Sequence, residues 1–214
     1  MAGIDNASVN ADCYEYMIGS QESESGTGYN HDAYLSELYK DPTISPEKLL
    51  PLIAESFVKE NHDQCPWHDY YGTTYCYQTS SVLDLSKVNT VVEKFNTFST
   101  EVTYSNVLTA FSSSKLNSFG ESCYGLVDMN AFLKQYQTSY SVDTNELIDA
   151  VKDAVVANYY CSYYSTAPCG INLFVPKSLD RSYALQVSMS SYQGENQTRL
   201  TTWQTMCLNN WSSY

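Results

Sequence analysis

The sequence predicts an α/β layered domain, on three observations. Short apolar runs at 16–20, 79–85 (TSSVLDL) and 170–176 (GINLFVP) end in turn residues and read as buried strands. Longer segments between them repeat their apolar residues at helical spacing. Most of those segments open on a recognisable cap. Strands alternating with helices in this way build a sheet with helices laid on its faces.

The elements follow in order. Tyr16–Ser20 is a short strand, followed by the loop 21–28, in which Gly26 and Gly28 permit positive φ. His31–Tyr39 is a short helix with Ala33, Leu35 and Leu38 inward. A second helix starts at Ser45 as N-cap with Pro46 in first position. Pro51 is expected to distort or restart it, and Leu49, Leu52, Ile53 and Phe57 form its inward stripe. Residues 61–78 are a polar, aromatic loop, and 79–85 a strand. Ser86 then caps a helix whose Val88, Val91, Val92, Phe95 and Phe98 recur at helical spacing. Another helix is expected around 104–116. YGLVDMNAFLKQYQ gives a turn and a helix capped by Asp128. Thr144 caps a helix predicted to run through Tyr160, with Leu147, Ile148, Val151, Val155 and Tyr159 as its stripe. Leu147 stands where a capping box wants Glu or Gln, but Glu146 puts an acid in the first turn. GINLFVP is the clearest buried strand, closed by Pro176. The tail LTTWQTMCLNNW is a last helix packing Trp203, Met206, Cys207 and Trp211.

Composition narrows the function. The chain has 214 residues, 43% of them apolar, enough for a real core. A net charge of −13 argues against nucleic acid as a partner and against an anionic membrane surface. No apolar run approaches the roughly 20 residues needed to span a bilayer. Twenty tyrosines, abundant serine and threonine, and only 11 Lys plus Arg resemble the surface chemistry of secreted proteins. Met1 is followed by AGIDNASVNADC rather than a basic stretch and an apolar run, so no leader is read here. The expectation is a fragment whose start lies upstream. Seven cysteines leave at least one thiol unpaired. In an oxidising compartment Cys65–Cys76 and Cys161–Cys169 are the candidate pairs; the alternative is seven buried thiols. No CxxC or Cys/His spacing suggests zinc, and no cofactor is implied.

Candidate chemistry is sparse. His31 starts a helix, and His62 and His68 lie in the polar loop. Cys13 is the best local thiol, but no histidine is placed to activate it. The acids Asp5, Asp12, Glu15 and Glu22 show no glycosidase spacing. Asp63 and Asp69 beside His62 and His68 read as a hydrated loop before a metal site. Asn6, Asn196 and Asn210 begin N-glycosylation sequons. Loop 21–28 combines acid and glycine most densely, just past a strand end, where ligand sites of α/β sheets gather.

The order of the pieces resembles one family. MAGID at 1–5, SQESESGTGY at 20–29, HDAYLSEL, SSVLDLSKVNTVVEKF, YGLVDMNAFL, APCGINLFVP and TTWQTMCLNNW follow the pattern of the clostripain-like cysteine endopeptidases. The resemblance implies a caspase-like three-layer α/β/α sandwich, incomplete at its N-terminal half, with 1–214 as the C-terminal portion and 20–30 as the specificity loop. It implies a catalytic cysteine two residues before Met1 and a histidine further upstream, so this chain carries no catalytic residue. It implies substrate contact at Ser20, Gln21, Glu22, Glu24 and Thr27. Thr27 stands where the family has an acid for a basic P1 side chain, and a threonine cannot form that ion pair. Ser25 replaces the family's proline. The partners implied are a peptide or protein substrate and the missing N-terminal half, the location extracellular or at the cell surface. A second reading is a non-catalytic peptide- or glycan-binding module using Tyr29, Tyr70, Tyr71, Tyr163 and Tyr164. A third is an unrelated α/β domain, with Gly26 and Gly28 far from any concave pocket. A sheet cut beside its central strand exposes an edge, which predicts dimerisation or association with an upstream chain.

Overall fold

A computed structural model describes residues 2–22, 24, 28–63, 78–113, 118–119, 125–161, 166–175 and 199–211. Its helices are α1 (Ile4–Asn10), α2 (His31–Lys40), α3 (Pro46–Asp63), α4 (Leu85–Thr100), α5 (Tyr104–Ser113), α6 (Met129–Tyr140), α7 (Asn145–Ala154) and α8 (Thr201–Trp211). Its strands are β1 (Tyr16–Gly19), β2 (Thr79–Asp84), β3 (Ser118–Phe119), β4 (Leu126–Asp128), β5 (Val155–Tyr160) and β6 (Asn172–Phe174). The strands form two antiparallel sheets, ordered β1-β2-β5 and β3-β4-β6.

Strand alternation builds the layers. Leu83 of β2 faces the main core with α1, α4 and α7. Its neighbour Val82 is equally buried but lies outside that core, toward α3, whose Ala54, Phe57 and Val58 are buried. The sheet is therefore covered on both faces. In the main core Trp203 of α8 meets Phe95 edge-on at 5.1 Å and Phe132 at 6.0 Å. Its indole N–H donates to Phe174 O at 3.1 Å, which satisfies the polar end of a buried ring.

Several expected features stand. Val88, Val91, Val92, Phe95 and Phe98 are all buried on α4. Asp128 caps α6 by accepting from Ala131 N at 2.9 Å. Trp203 and Cys207 are buried and Met206 packs against the core; the side chain of Trp211 lies outside the described residues.

Others are corrected. The helix from Thr144 ends at Ala154, and Val155–Tyr160 is strand β5. β-branched Val155 and Val156 with the Tyr159–Tyr160 pair suit a pleated sheet, and pairing along β2 decides the matter. Thr144 holds the cap position without a side-chain bond to the helix; its hydroxyl donates to Gln137 Oε1 at 2.8 Å, and Asp143 accepts from Asn145 N. The cap of α4 is Asp84, not Ser86: the Asp84 carboxylate accepts from Ser86 N at 3.0 Å and from its hydroxyl at 2.6 Å. Helix α3 runs unbroken through Pro51, which gives up the bond that its position would make to the Glu47 carbonyl. Its buried residues are Ala54, Phe57 and Val58, whereas Leu52 is exposed. Helix α2 buries nothing, and Leu35 is half exposed. No disulfide joins Cys161 and Cys169. The Cys65–Cys76 pair, the side chains of His62 and Asp63, and His68, Asp69, Tyr70, Tyr71, Tyr163, Tyr164, Pro176 and Asn196 lie outside the described residues.

Candidate functional site

The two sheets meet at their facing edges, β1 and β6, through the first residues of the chain. Ala2 N donates to Ser20 O at 2.7 Å, and Ala2 O accepts from Asn172 N at 2.8 Å. Gly3 forms a parallel bridge with Asn172. This close approach needs Gly19, because a Cβ there would stand 3.1 Å from Ala2 N and 3.3 Å from its Cα.

Immediately past β1 the side chains turn inward and lock the junction. Ser20 and Gln21 are fully buried. The Ser20 and Thr79 hydroxyls lie 2.9 Å apart, and Gln21 N donates to Thr79 Oγ1 at 2.8 Å. The Gln21 carboxamide is fully used. Its Oε1 accepts from Gly170 N at 2.9 Å; its Nε2 donates to Asp128 Oδ2 at 3.1 Å and Asn172 Oδ1 at 3.2 Å. Asn172 Nδ2 donates back to Gln21 O. Asp128 is shared: one oxygen caps α6, and the other accepts from Gln21 and from Cys169 N at 2.6 Å. Ser81 Oγ donates to Gly170 O at 2.6 Å. Gly170 has φ +94°, and a Cβ on it would lie 3.2 Å from Ser81 Cβ and from Val155 Cγ1. Buried polar groups must be paired, and here the pairing spans both sheets and α6.

The remaining sequence-predicted residues sit further out. Glu22 is half-buried, its N–H donating to Ser20 Oγ at 3.1 Å. Glu24 is exposed, and the Tyr29 hydroxyl approaches its Oε1 at 3.5 Å. Burial, then the Glu24 charge, pushes the Tyr29 phenol up to about 12. The Tyr29 ring packs on Phe57 at 4.5 Å. Gly28 has φ +73°. Thr27, Ser25 and Gly26 lie outside the described residues. The structure thus brings Ser20 and Gln21 together beside Ala2, with Glu22 and Glu24 leading away. Asn172, Asp128, Thr79 and Gly170 complete the cluster without having been singled out for it, because nothing in the local sequence links positions 58 to 151 residues apart.

Among the described residues no group of His, Cys, Asp and Glu has the arrangement of a metal site. Cys13 is exposed on the turn after α1. Burial, then Asp128, raises the Cys169 thiol well above its ordinary range, and burial, then Asp5, raises that of Cys207. A cavity of about 560 Å³ opens between α6, β5 and the segment 166–169, and none of residues 20–30 lines it. Among the described residues no helix is long and apolar enough to cross a membrane.

Layers of helix on both faces of the strands, joined at the β1–β6 seam, define an α/β protein of the caspase-like fold. Solved structures similar to it include clostripain-type cysteine proteases. A clostripain from Bacteroides thetaiotaomicron in complex with a peptide inhibitor matches with a TM-score of 0.63 and 16% identity, over 95% of this chain and 82% of that one. An inactive zymogen C11 protease from Parabacteroides distasonis gives 0.61 and 17%, over 92% of this chain and 54% of that one. A secreted C11 cysteine protease from B. thetaiotaomicron gives 0.60 and 16%, over 95% and 53%. The chain spans about half the length of the last two. No family model matches the sequence, and no curated protein does. At such identities the likeness establishes the fold.

Proposed function

We propose that this chain is the latter portion of a secreted clostripain-like cysteine endopeptidase, extending over residues 1–214. The single observation behind the proposal is the seam: residues 2 and 3 lie between β1 and β6, beside Ser20 and Gln21. A strand running into Met1 from upstream, with a cysteine two residues before it, brings its thiolate to the end of β1. The histidine of the dyad comes from further upstream and takes the thiol proton; the thiolate attacks the scissile carbonyl to form an acyl-enzyme. Residues 20–30 form one wall of the substrate cleft. Ser20 and Gln21 hold that wall from behind and present its main chain, while Glu22, Glu24 and Thr27 meet the substrate. Peptide inhibitors occupy two of the similar proteases, which supports a peptide or protein substrate here. With Thr27 in place of an acid, an Arg or Lys P1 side chain has no ion pair at that position, while Glu22 and Glu24 still supply negative charge.

The test is a positional P1 substrate library against two preparations: the chain alone, and the polypeptide including its upstream coding sequence. The expected result is no hydrolysis by the chain alone. The longer polypeptide cleaves, cysteine-dependently, and the library reads its P1 preference. Cleavage by the chain alone that Cys13→Ala abolishes overturns the reading. So does an upstream sequence with no Asp-Ala-Cys-Leu-like stretch, which leaves a non-catalytic binding module.

A further inference from the structure

The outer edge of β5 carries a feature that cleavage chemistry does not use. Among the described residues β5 pairs only with β2, so its other edge has no strand partner. Four consecutive residues of β5, Val155–Asn158, line the 560 Å³ cavity. Side chains alternate between faces along a strand. A cavity that touches four in succession therefore meets the strand's edge, along which no strand pairs among the described residues. The opposite wall is one face of α6, with Asn130, Lys134 and Thr138 spaced four apart.

Two side-chain oxygens of that trough lack partners among the described residues. Asn130 is 6% exposed, and its Oδ1 is buried without a partner among the described residues. Asn158 spends its Nδ2 on Pro168 O, leaving its own Oδ1 unpaired. Buried carbonyl oxygens without partners are costly, and a peptide N–H supplies the donor they lack. The charge is as telling. In a chain of net charge −13, the ionisable side chains lining the trough with free charge are Lys134 and Lys152. Among the described residues Lys134 has no ion pair. Lys152 meets only the exposed Asp149, at 2.6 Å, a contact worth little in water. Asp128, the carboxylate on the wall, is buried and already accepts from Ala131, Cys169 and Gln21.

We propose that this trough binds an extended acidic peptide, which adds to the outer edge of β5 as a further strand and sets its carboxylates against Lys134 and Lys152. Edge addition draws affinity from main-chain bonds and specificity from flanking side chains. A wall of four strand residues spans about 10 Å, room for three or four peptide residues. The site is separate from residues 20–30, and the proposal stands whether or not the chain is part of a peptidase.

The test is fluorescence anisotropy of the chain with labelled Val-Glu-Val-Asp, and with Val-Lys-Val-Lys as the charge-reversed control. Binding of the acidic peptide that weakens at least tenfold with Lys134→Glu and survives Lys134→Arg is expected. N-methylating alternate amides of the acidic peptide should abolish binding, since it removes the donors that pair with the strand. Equal binding of both peptides, no effect of Lys134→Glu, or full binding of the N-methylated peptide overturns the proposal. Lys134 is exposed, so these variants fold. A chain dimer that Lys134→Glu dissociates would assign the edge to a second copy and also overturn it.

Discussion

Cysteine chemistry in this chain is set by where each sulfur sits. The thiolate is the reactive form, so a thiol whose ionisation is suppressed reacts slowly at neutral pH. Cys13 is exposed, Cys161 and Cys207 are buried, and Cys169 donates to Ile171 O at 3.3 Å within its raised environment. Iodoacetamide at pH 8 followed by peptide mapping should label Cys13 first among these four and Cys207 last. Equal rates would mean that the α8 packing is loose. The raised Cys207 value also has a stability consequence. The folded state holds the proton more tightly than the unfolded chain, whose thiol ionises near pH 8.5. Its contribution is complete below that pH and is lost as pH rises through the folded value. Urea titrations from pH 8 to 10 should therefore show stability falling, and Cys207→Ala should flatten that slope.

Among the elements, the seam at Gln21 is the most exposed to single substitutions. Gln21→Leu keeps the volume but leaves Gly170 N and Asn172 Oδ1 without partners and removes one donor to Asp128. Each orphaned buried group costs about 1–3 kcal/mol, so a loss of about 2–5 kcal/mol is expected from urea unfolding. Gly170→Ala adds left-handed strain and a Cβ tight against Ser81 and Val155, worth about 1–3 kcal/mol. A neutral result for both would mean that the two sheets are not coupled there. The contrast with what the sequence disclosed is instructive. Helix α4 was legible because five apolar residues at helical spacing need only their own helix and one core. Asp128 was legible as a cap because its partner is three residues away. The end of α7 was not legible: Val155 and Tyr159 continue a helical stripe as well as they begin a strand, and only pairing with β2, over seventy residues earlier, separates the two. The inward face expected on α2 failed because periodicity says which residues share a side, not whether anything covers it. In the site, Gln21 was marked by its place after a strand and Ser20 by the family resemblance, whereas their partners Asn172 and Gly170 depend on long-range closure of the fold.

At the scale of the whole molecule, the two sheets are joined edge to edge by residues 2 and 3 and by side chains, rather than by a strand paired along its length. Unpaired strand edges are sticky. β1 is four residues and β6 three, so the seam offers few main-chain bonds for the area it must hold. A strand inserted along it would bond to both neighbours and extend the Ala2 contacts in both directions. Under the proposed function the upstream polypeptide supplies that strand. The chain alone should therefore associate at micromolar concentration, read by size-exclusion chromatography with light scattering. Co-expression with the upstream half should replace that association with a one-to-one complex of higher unfolding midpoint. The two halves of the experiment answer different questions. A clean monomer of the chain alone would show that the seam is satisfied within the chain, and the need for an inserted strand would go with it. Association of the chain alone that the upstream half fails to displace would place the sticky edge elsewhere, and the outer edge of β5 is then the surface to examine.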